Sequence, residues 1–252
     1  MKKYYTRACN FYYGPHAKLL IRKKLALPLC GSKSIAFDKK EILKREKNSV
    51  SSRIINIKNV KKIKGLIKEK IQKDLKKIIQ KRKNFLKNVN FLDPSIMGIL
   101  NITPDSFSDG GKFYKKKKAK NHFQQMIKDG AKLIDVGGES TRPGSTTIKI
   151  ENELKRIDKV LRDFKKHHKK ICLSIDTRKS EVMIRAIKYG ADLINDVSGF
   201  KHDKESLSKI KKYDIAKVLH HMQGTPDTMQ KNPKYKNVLL DIYDFFEKGI
   251  KK

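Results

Sequence analysis

Long hydrophobic runs are missing from this 252-residue chain. Nowhere do about 18 apolar residues follow one another, so no membrane-spanning helix is expected. The N-terminus opens Met1-Lys2-Lys3, but polar and aromatic residues follow where a secretory leader would carry its apolar segment. Cysteine is scarce: Cys9, Cys30 and Cys172 form an odd, scattered set. That argues against a disulfide framework and for a reducing, cytoplasmic location. Acidic residues are few as well, 26 against 61 basic, for a net charge of +35. Such an excess fits a nucleic acid or an anionic membrane as partner. It also follows from the Lys-, Ile- and Asn-rich usage that an AT-rich coding sequence imposes, and the spread of the charge favours this second origin. Residues 1–95 hold 27 basic and 6 acidic residues, residues 96–252 hold 34 and 20. With 38% hydrophobic residues the chain can still bury a core.

Two regions differ in texture. Residues 1–94 have few glycines, carry no motif that points to chemistry, and read as a small basic N-terminal extension. Within it, Leu66, Ile67, Ile71, Leu75, Ile78 and Ile79 recur near helical spacing and predict one basic helix over 66–90, its lysines solvated with their stems on apolar surface. Leu25–Leu29 and Ser34–Phe37 read as short extended pieces separated by Cys30-Gly31-Ser32. Asp93-Pro94-Ser95 marks the boundary to a second domain, 95–252, because proline disfavours continuation of a helix. From there apolar runs at Ile96–Ile102, Leu133–Val136, Ile171–Ile175, Leu193–Val197 and Ile215–Leu219 alternate with helical periods at Lys120–Lys128, Glu151–Phe164, Ser180–Tyr189 and Glu205–Lys212. Short buried strands alternating with amphipathic helices predict βαβ units and a parallel sheet.

Each predicted strand closes on polar residues: Asn101, then Asp135 through Glu139, Asp176, Asn195-Asp196, and His220-His221. One such residue is readily explained by a loop hydrogen bond or a helix cap. Five in succession suit a (β/α)8 barrel of the TIM type, in which all the strand ends converge on one face. An open doubly wound sheet needs a polar residue only at its switch point. The first loop, Thr103 to Gly111, packs small hydroxyls, two carboxylates and a glycine pair into a long βα connection. The second, Gly138-Glu139-Ser140-Thr141-Arg142-Pro143-Gly144-Ser145, joins glycines to hydroxyl and guanidinium donors suited to a phosphate.

These segments resemble the dihydropteroate synthase family. Met97–Gly111 and Ile134–Gly144 look like its first two signatures, Ser174–Thr177 and Ile194–Val197 are similar to its third and fourth strand ends, and His221–Pro226 resembles the segment after the fifth. The likeness covers residues 95–252; the Ala26–Leu29 and Ala36-Phe37 pieces resemble, more weakly, an extension on some bacterial members. It implies the condensation of 6-hydroxymethyl-7,8-dihydropterin pyrophosphate with para-aminobenzoate, releasing pyrophosphate along an SN1-like path. It implies Mg2+ held by Asn101 through its side-chain oxygen, one protein ligand sufficing because magnesium keeps most of its waters. Asp176 and Asn195 are the implied pterin contacts, and Thr141 the implied donor to pyrophosphate, with Ser145 on the same loop. Asp105 and Arg142 are the implied catalytic residues on two loops that close over the site and, with Phe107 and Pro143, shape the aminobenzoate pocket. A homodimer is implied for the complete protein.

Two departures accompany the likeness. His220 stands where members often carry Met in the pterin pocket. Residues 96–252 supply five strands where the whole barrel typically takes ~250 residues. The late-strand Asp-Pro-Gly, Ser-Arg-Lys and Arg-Val-His segments have no counterpart, so the reading is of a truncated or split member with about five βα units, inactive by itself. Two alternatives stay open: another pterin-binding barrel, such as a methyltetrahydrofolate methyltransferase, or a basic binding protein on a defunct half-barrel. Aromatics near the start (Tyr4, Tyr5, Phe11, Tyr12, Tyr13) do not interleave with the basic helix in the manner of stacking platforms. DNA or RNA should therefore bind this chain only through salt-sensitive charge attraction. Filter binding from low to physiological salt checks this; sequence-preferring binding that persists at the higher salt would contradict it.

Overall fold

The computed structural model describes residues 3–47, 49–86, 89–90, 94–103, 112–141, 145–226 and 228–251. The chain divides into two compact units, Met1–Lys83 and Asn84–Lys252.

The first unit is built on antiparallel pairing. Strand β1 (Lys3–Tyr13) leads through helix α1 (Gly14–Arg22) to β2 (Leu27–Pro28), β3 (Ile35–Arg45) and β4 (Val50–Asn56). A 3-10 turn (Ile57–Lys62) and helix α2 (Leu66–Ile79) follow. β3 is the spine: β1 pairs along one edge, with Tyr5 opposite Leu43 and Phe11 opposite Phe37, while β2 and β4 share the other edge. Ile42 of β3, Val60 and Ile71 of α2 form one small core; Ala17, Ala26 and Ala36 form another, where only small side chains let α1 approach. The extended pieces around Leu27 and Ile35 are present, although β1 and β4 went unforeseen. The single helix over 66–90 is corrected: α2 stops at Ile79, and Gln80 is extended at ψ 133°. The apolar periodicity ends at Ile79, Cys30 N–H bonds the Ile78 carbonyl at 2.8 Å, and Leu86 and Val89 belong to the core of the second unit.

The second unit is a five-stranded parallel sheet in the order β5-β6-β7-β8-β9. Its strands are Ile96–Asn101, Ala131–Gly137, Cys172–Asp176, Leu193–Asp196 and Ala216–Leu219. The connections carry α3 (Lys112–Lys128), α4 (Ile150–His167), α5 (Ser180–Lys188) and α6 (Ser206–Ile210). Strand alternation sorts the residues. Leu100, Ile134, Val136, Leu173, Ile175 and Ile194 pack with Phe123, Leu161, Phe164 and Met183 on the helix side. On the opposite face, Leu133, Cys172 and Leu193 pack with Leu86 and Val89 near the start of the strands. α3 and α5 end at Gly130 and Gly190, whose φ of 95° and 87° favour glycine. A helix the sequence reading did not include, α7 (Val238–Ile250), starts where the Asn237 side chain accepts from Leu240 N–H at 3.1 Å. Among the described residues no helix is long and apolar enough to cross a membrane.

Lys40 of β3 is fully buried, and its Nζ has no hydrogen-bond partner among the described residues. Loss of water pushes its ammonium down to about 8 from 10.5, Asp74 opposing and Lys70 assisting. The unfolded chain keeps that proton up to its ordinary value, so stability should rise as pH climbs from about 8 to 10.5. Lys40→Met should raise stability at pH 7 by up to about 3 kcal/mol, with the gain shrinking toward pH 10.5. Urea denaturation at several pH values checks both parts; a pH-independent change would contradict the origin assigned here.

Candidate functional site

Parallel pairing brings the carboxyl ends of all five strands to one rim. Register matches Asn101 with Gly137, Gly137 with Asp176, and Asp176 with Asn195, so the three polar residues share one row. Gly137 is the gap that lets two of them meet. A Cβ built on it would lie 3.2 Å from Asn101 Oδ1 and 3.6 Å from Asp176 Oδ2. A side chain there would fill the space between amide and carboxylate.

One step down the strands, a hydrogen-bonded chain crosses the sheet. Asp135 accepts from Ser174 Oγ at 2.5 Å and from Asn195 Nδ2 at 2.9 Å. The other end of the Asn195 amide, Oδ1, lies 2.6 Å from His220 Nε2. An ionised Asp135 can only accept, so the Asn195 amide must turn its NH2 to the carboxylate and its oxygen to the ring. His220 then donates from Nε2. Burial raises the Asp135 carboxyl despite the bonds from Ser174 and Asn195. Asp176 is pushed up to about 7, first by burial, then by the charges of Asp135, Glu153 and Asp196, with Arg178 opposing. This rim can hold a carboxylate that is neutral or charged within the physiological range, beside an amide oxygen and a second amide with fixed orientation.

A second cluster lies at the roots of the loops after β6 and β7. Lys179 Nζ donates to Glu139 Oε2 at 2.8 Å and to Glu153 Oε2 at 2.6 Å, and all three side chains are buried. Arg178 reaches Glu139 Oε2 at 3.2 Å. Burial works against the Glu139 carboxylate, but the Lys179 hydrogen bond, the Ile148 N–H and the two cations hold it below its ordinary value. Gly138 lets α4 come close: a Cβ there would meet Ile157 Cγ2 at 2.8 Å. Asp196, in contrast, spends its carboxylate on the N–H groups of Ser198 and Phe200 and shapes its own loop.

Of the residues singled out from the sequence, Asn101, Asp176 and Asn195 fall in the shared row. Thr141 is partly buried on the loop after β6, and the Ser145 hydroxyl on that loop donates to the Ser140 carbonyl at 2.6 Å. Asp105, Phe107, Arg142 and Pro143 lie outside the described residues. Asp135, Ser174, Glu139, Arg178 and Lys179 were given no role from the sequence, and His220 was noted only as a polar strand end and a departure in the pterin pocket. Period-two alternation could have found the first two, because each stands two residues before Gly137 or Asp176 and so shares its face. Among the described residues, no three His, Cys, Asp or Glu side chains converge to hold a metal ion.

A family model described as pterin binding enzyme matches residues 97–252. The dihydropteroate synthase of Clostridium beijerinckii is 46% identical over 155 residues, which cover 62% of this chain and 55% of that protein. The structure of the Yersinia pestis dihydropteroate synthase in a sulfonamide drug complex superposes with a TM-score of 0.60 at 40% identity, over 65% of this chain and 58% of that one. The Burkholderia cenocepacia enzyme complexed with 7,8-dihydropteroate superposes with a TM-score of 0.55 at 36% identity, over 64% and 53%. The chain thus spans a little over half the length of these relatives.

The raised Asp176 carboxyl gives a signed expectation. A carboxyl whose folded value lies above its unfolded value of 3.8 costs stability as pH rises through about 7. Asp176→Asn should therefore leave stability unchanged near pH 4 and increase it at pH 8 by up to about 4 kcal/mol. Thermal unfolding across that range tests it; a variant less stable than the parent at pH 8 would contradict it.

Proposed function

The chain belongs to the pterin binding enzyme family, and from that premise we propose that the protein is a dihydropteroate synthase. It would join 6-hydroxymethyl-7,8-dihydropterin pyrophosphate to para-aminobenzoate, releasing pyrophosphate and forming 7,8-dihydropteroate for folate biosynthesis. The observation that carries this reading is the row of Asn101, Asp176 and Asn195 around the bare Cα of Gly137. A carboxylate facing adjacent ring N–H donors accepts two charge-assisted hydrogen bonds, the pairing a pterin's pyrimidine edge requires. Asn195, its amide turned by Asp135 and His220, offers a further polar contact at a fixed angle. Binding a ring that donates to Asp176 favours the ionised carboxylate, so its elevated value is relieved when the ligand arrives. His220 does not stand loose in the pocket, because its ring is tied to Asn195.

The Thr141 hydroxyl and its loop would take the pyrophosphate as it leaves, and the Asp105–Phe107 and Arg142–Pro143 loops would close over the exocyclic methylene carbon. Closure excludes water, which competes with the aniline nitrogen for that carbon. Asn101 fits a magnesium ion, since its amide oxygen lies over Gly137 and a magnesium ion that keeps its waters needs no cage of carboxylates; when bound, the ion would offset charge on the departing pyrophosphate. We place the reaction in the cytoplasm, in keeping with three cysteines that are all free.

Asp176→Ala should weaken binding of a pterin to this chain by about 10- to 100-fold, read by fluorescence titration. Asn101→Ala should weaken magnesium-dependent binding of pyrophosphate and leave pterin affinity near that of the parent. The reaction itself is followed as pyrophosphate release that depends on both the pterin substrate and para-aminobenzoate; turnover is expected of the whole barrel and not of these five strands alone. Pterin binding unaffected by Asp176→Ala would remove the basis of this reading.

A further inference from the structure

One buried carboxylate closes the loop that follows β6. Glu139 stands at its start, and its two oxygens go to different places. Oε1 accepts from the backbone N–H of Ile148, at the far end of the loop, at 2.9 Å. Oε2 accepts from Lys179 Nζ at 2.8 Å and faces Arg178 Nη2 at 3.2 Å, both at the end of the neighbouring strand β7. Lys179 is held in turn by Glu153 in the first turn of α4 at 2.6 Å. Arg178 donates to Thr147 Oγ1 at 3.3 Å, and Arg156 Nη1 donates to the Gly138 carbonyl at 2.7 Å. The side chains of Glu139, Glu153, Arg178 and Lys179 are 2%, 0%, 7% and 8% exposed, so the ion pairs among these four are shielded from bulk water, whereas Thr147 is exposed.

A buried ion pair is a poor stabiliser, because desolvation consumes most of its attraction and apolar packing of the same volume does as well. What it supplies is direction. Here the direction serves the segment between Glu139 and Ile148, which holds Thr141 two residues from the anchored carboxylate. Both ends are pinned to one group, and that group is pinned to the turn after β7, whose last residue, Asp176, stands three residues before Lys179.

We infer that Glu139 and Lys179 form a clasp that positions the Thr141 loop against the Asp176 strand end. The inference rests on the reading of this loop as the pyrophosphate-binding loop. It assigns positioning roles to two residues that need not touch substrate. Small displacements of a contact group lose its hydrogen bonds, so holding the loop to about half an ångström is a requirement of the site.

Hydrogen exchange of the whole chain, paired with ligand titration, tests the clasp. Lys179→Met should speed exchange of the amides of Ser140, Thr141 and Ser145 to Ile148 by about tenfold or more, while β7 and β8 exchange as in the parent. The same variant should weaken binding of inorganic pyrophosphate with magnesium by about tenfold, leaving the affinity for a plain pterin within about twofold. Lys179→Arg, which keeps the charge, should restore both. Should Lys179→Met not fold, Glu139→Gln serves in its place: it keeps an acceptor for Ile148 but loses the charge that holds Lys179, and loop exchange should still rise. Unchanged loop exchange, exchange raised equally across all five strands, or equal losses of pterin and pyrophosphate would each overturn the clasp. A parent chain that binds no pyrophosphate would sink the reaction proposed above, while the exchange pattern would still decide the clasp by itself.

Discussion

Asp135 is the group on which the rim depends. A carboxylate buried on the inner face of a parallel sheet must be satisfied by its neighbours, and here the neighbours are on other strands: Ser174 of β7 and Asn195 of β8. That requirement orients the Asn195 amide, and the amide in turn selects which nitrogen of His220 donates. Its charge also helps to lift Asp176 toward neutrality. Removing one acceptor would leave two donors, one amide orientation and one ring tautomer undetermined together, the behaviour expected of a connected polar network.

The charge of the chain and the charge of its site point in opposite directions. The protein carries +35, yet Asp135, Asp176, Asp196, Glu139 and Glu153 gather at or near the carboxyl ends of the strands. Two cations, Arg178 and Lys179, offset part of this, and both are committed to Glu139. The excess of lysine lies elsewhere, much of it in the first unit, where pairs such as Lys44–Glu46 and Lys70–Asp74 hold a few and many others are solvent-exposed. Lys40 is the exception, buried against its nature beneath α2 and shifted by the loss of water.

Two glycines do work at the rim that no other residue could do. Gly137 leaves room for an amide and a carboxylate to approach, and Gly138 lets α4 lie against the strand end. The signature Gly-Gly-Glu-Ser-Thr thus combines two close approaches with the carboxylate that anchors the following loop. Read as a string, those letters suggest a phosphate-binding loop; in the folded chain Glu139 faces inward, its two oxygens taken by the Ile148 N–H and by Lys179.

The second unit, α7 excepted, was legible in the sequence because its order is local and periodic. Each strand is a short apolar run, each helix has its own apolar stripe, and the polar ending of every run marks the rim, so Asn101, Asp176 and Asn195 could be read without coordinates. The first unit was less legible. Lys3–Tyr13 and Val50–Asn56 carry weak alternation and become strands through pairing with β3, β1 across tens of residues and β4 through a local hairpin. Helix α2 ends where its apolar period ends, but the residues beyond it looked helical until Leu86 and Val89 found partners in the second unit. The inner chain of Asp135, Ser174, Asn195 and His220 and the clasp of Glu139 with Lys179 were decided only by tertiary structure. Their partners stand 25 to 60 positions apart. Strand register determines which of those side chains come within reach, and register is a property of the assembled sheet.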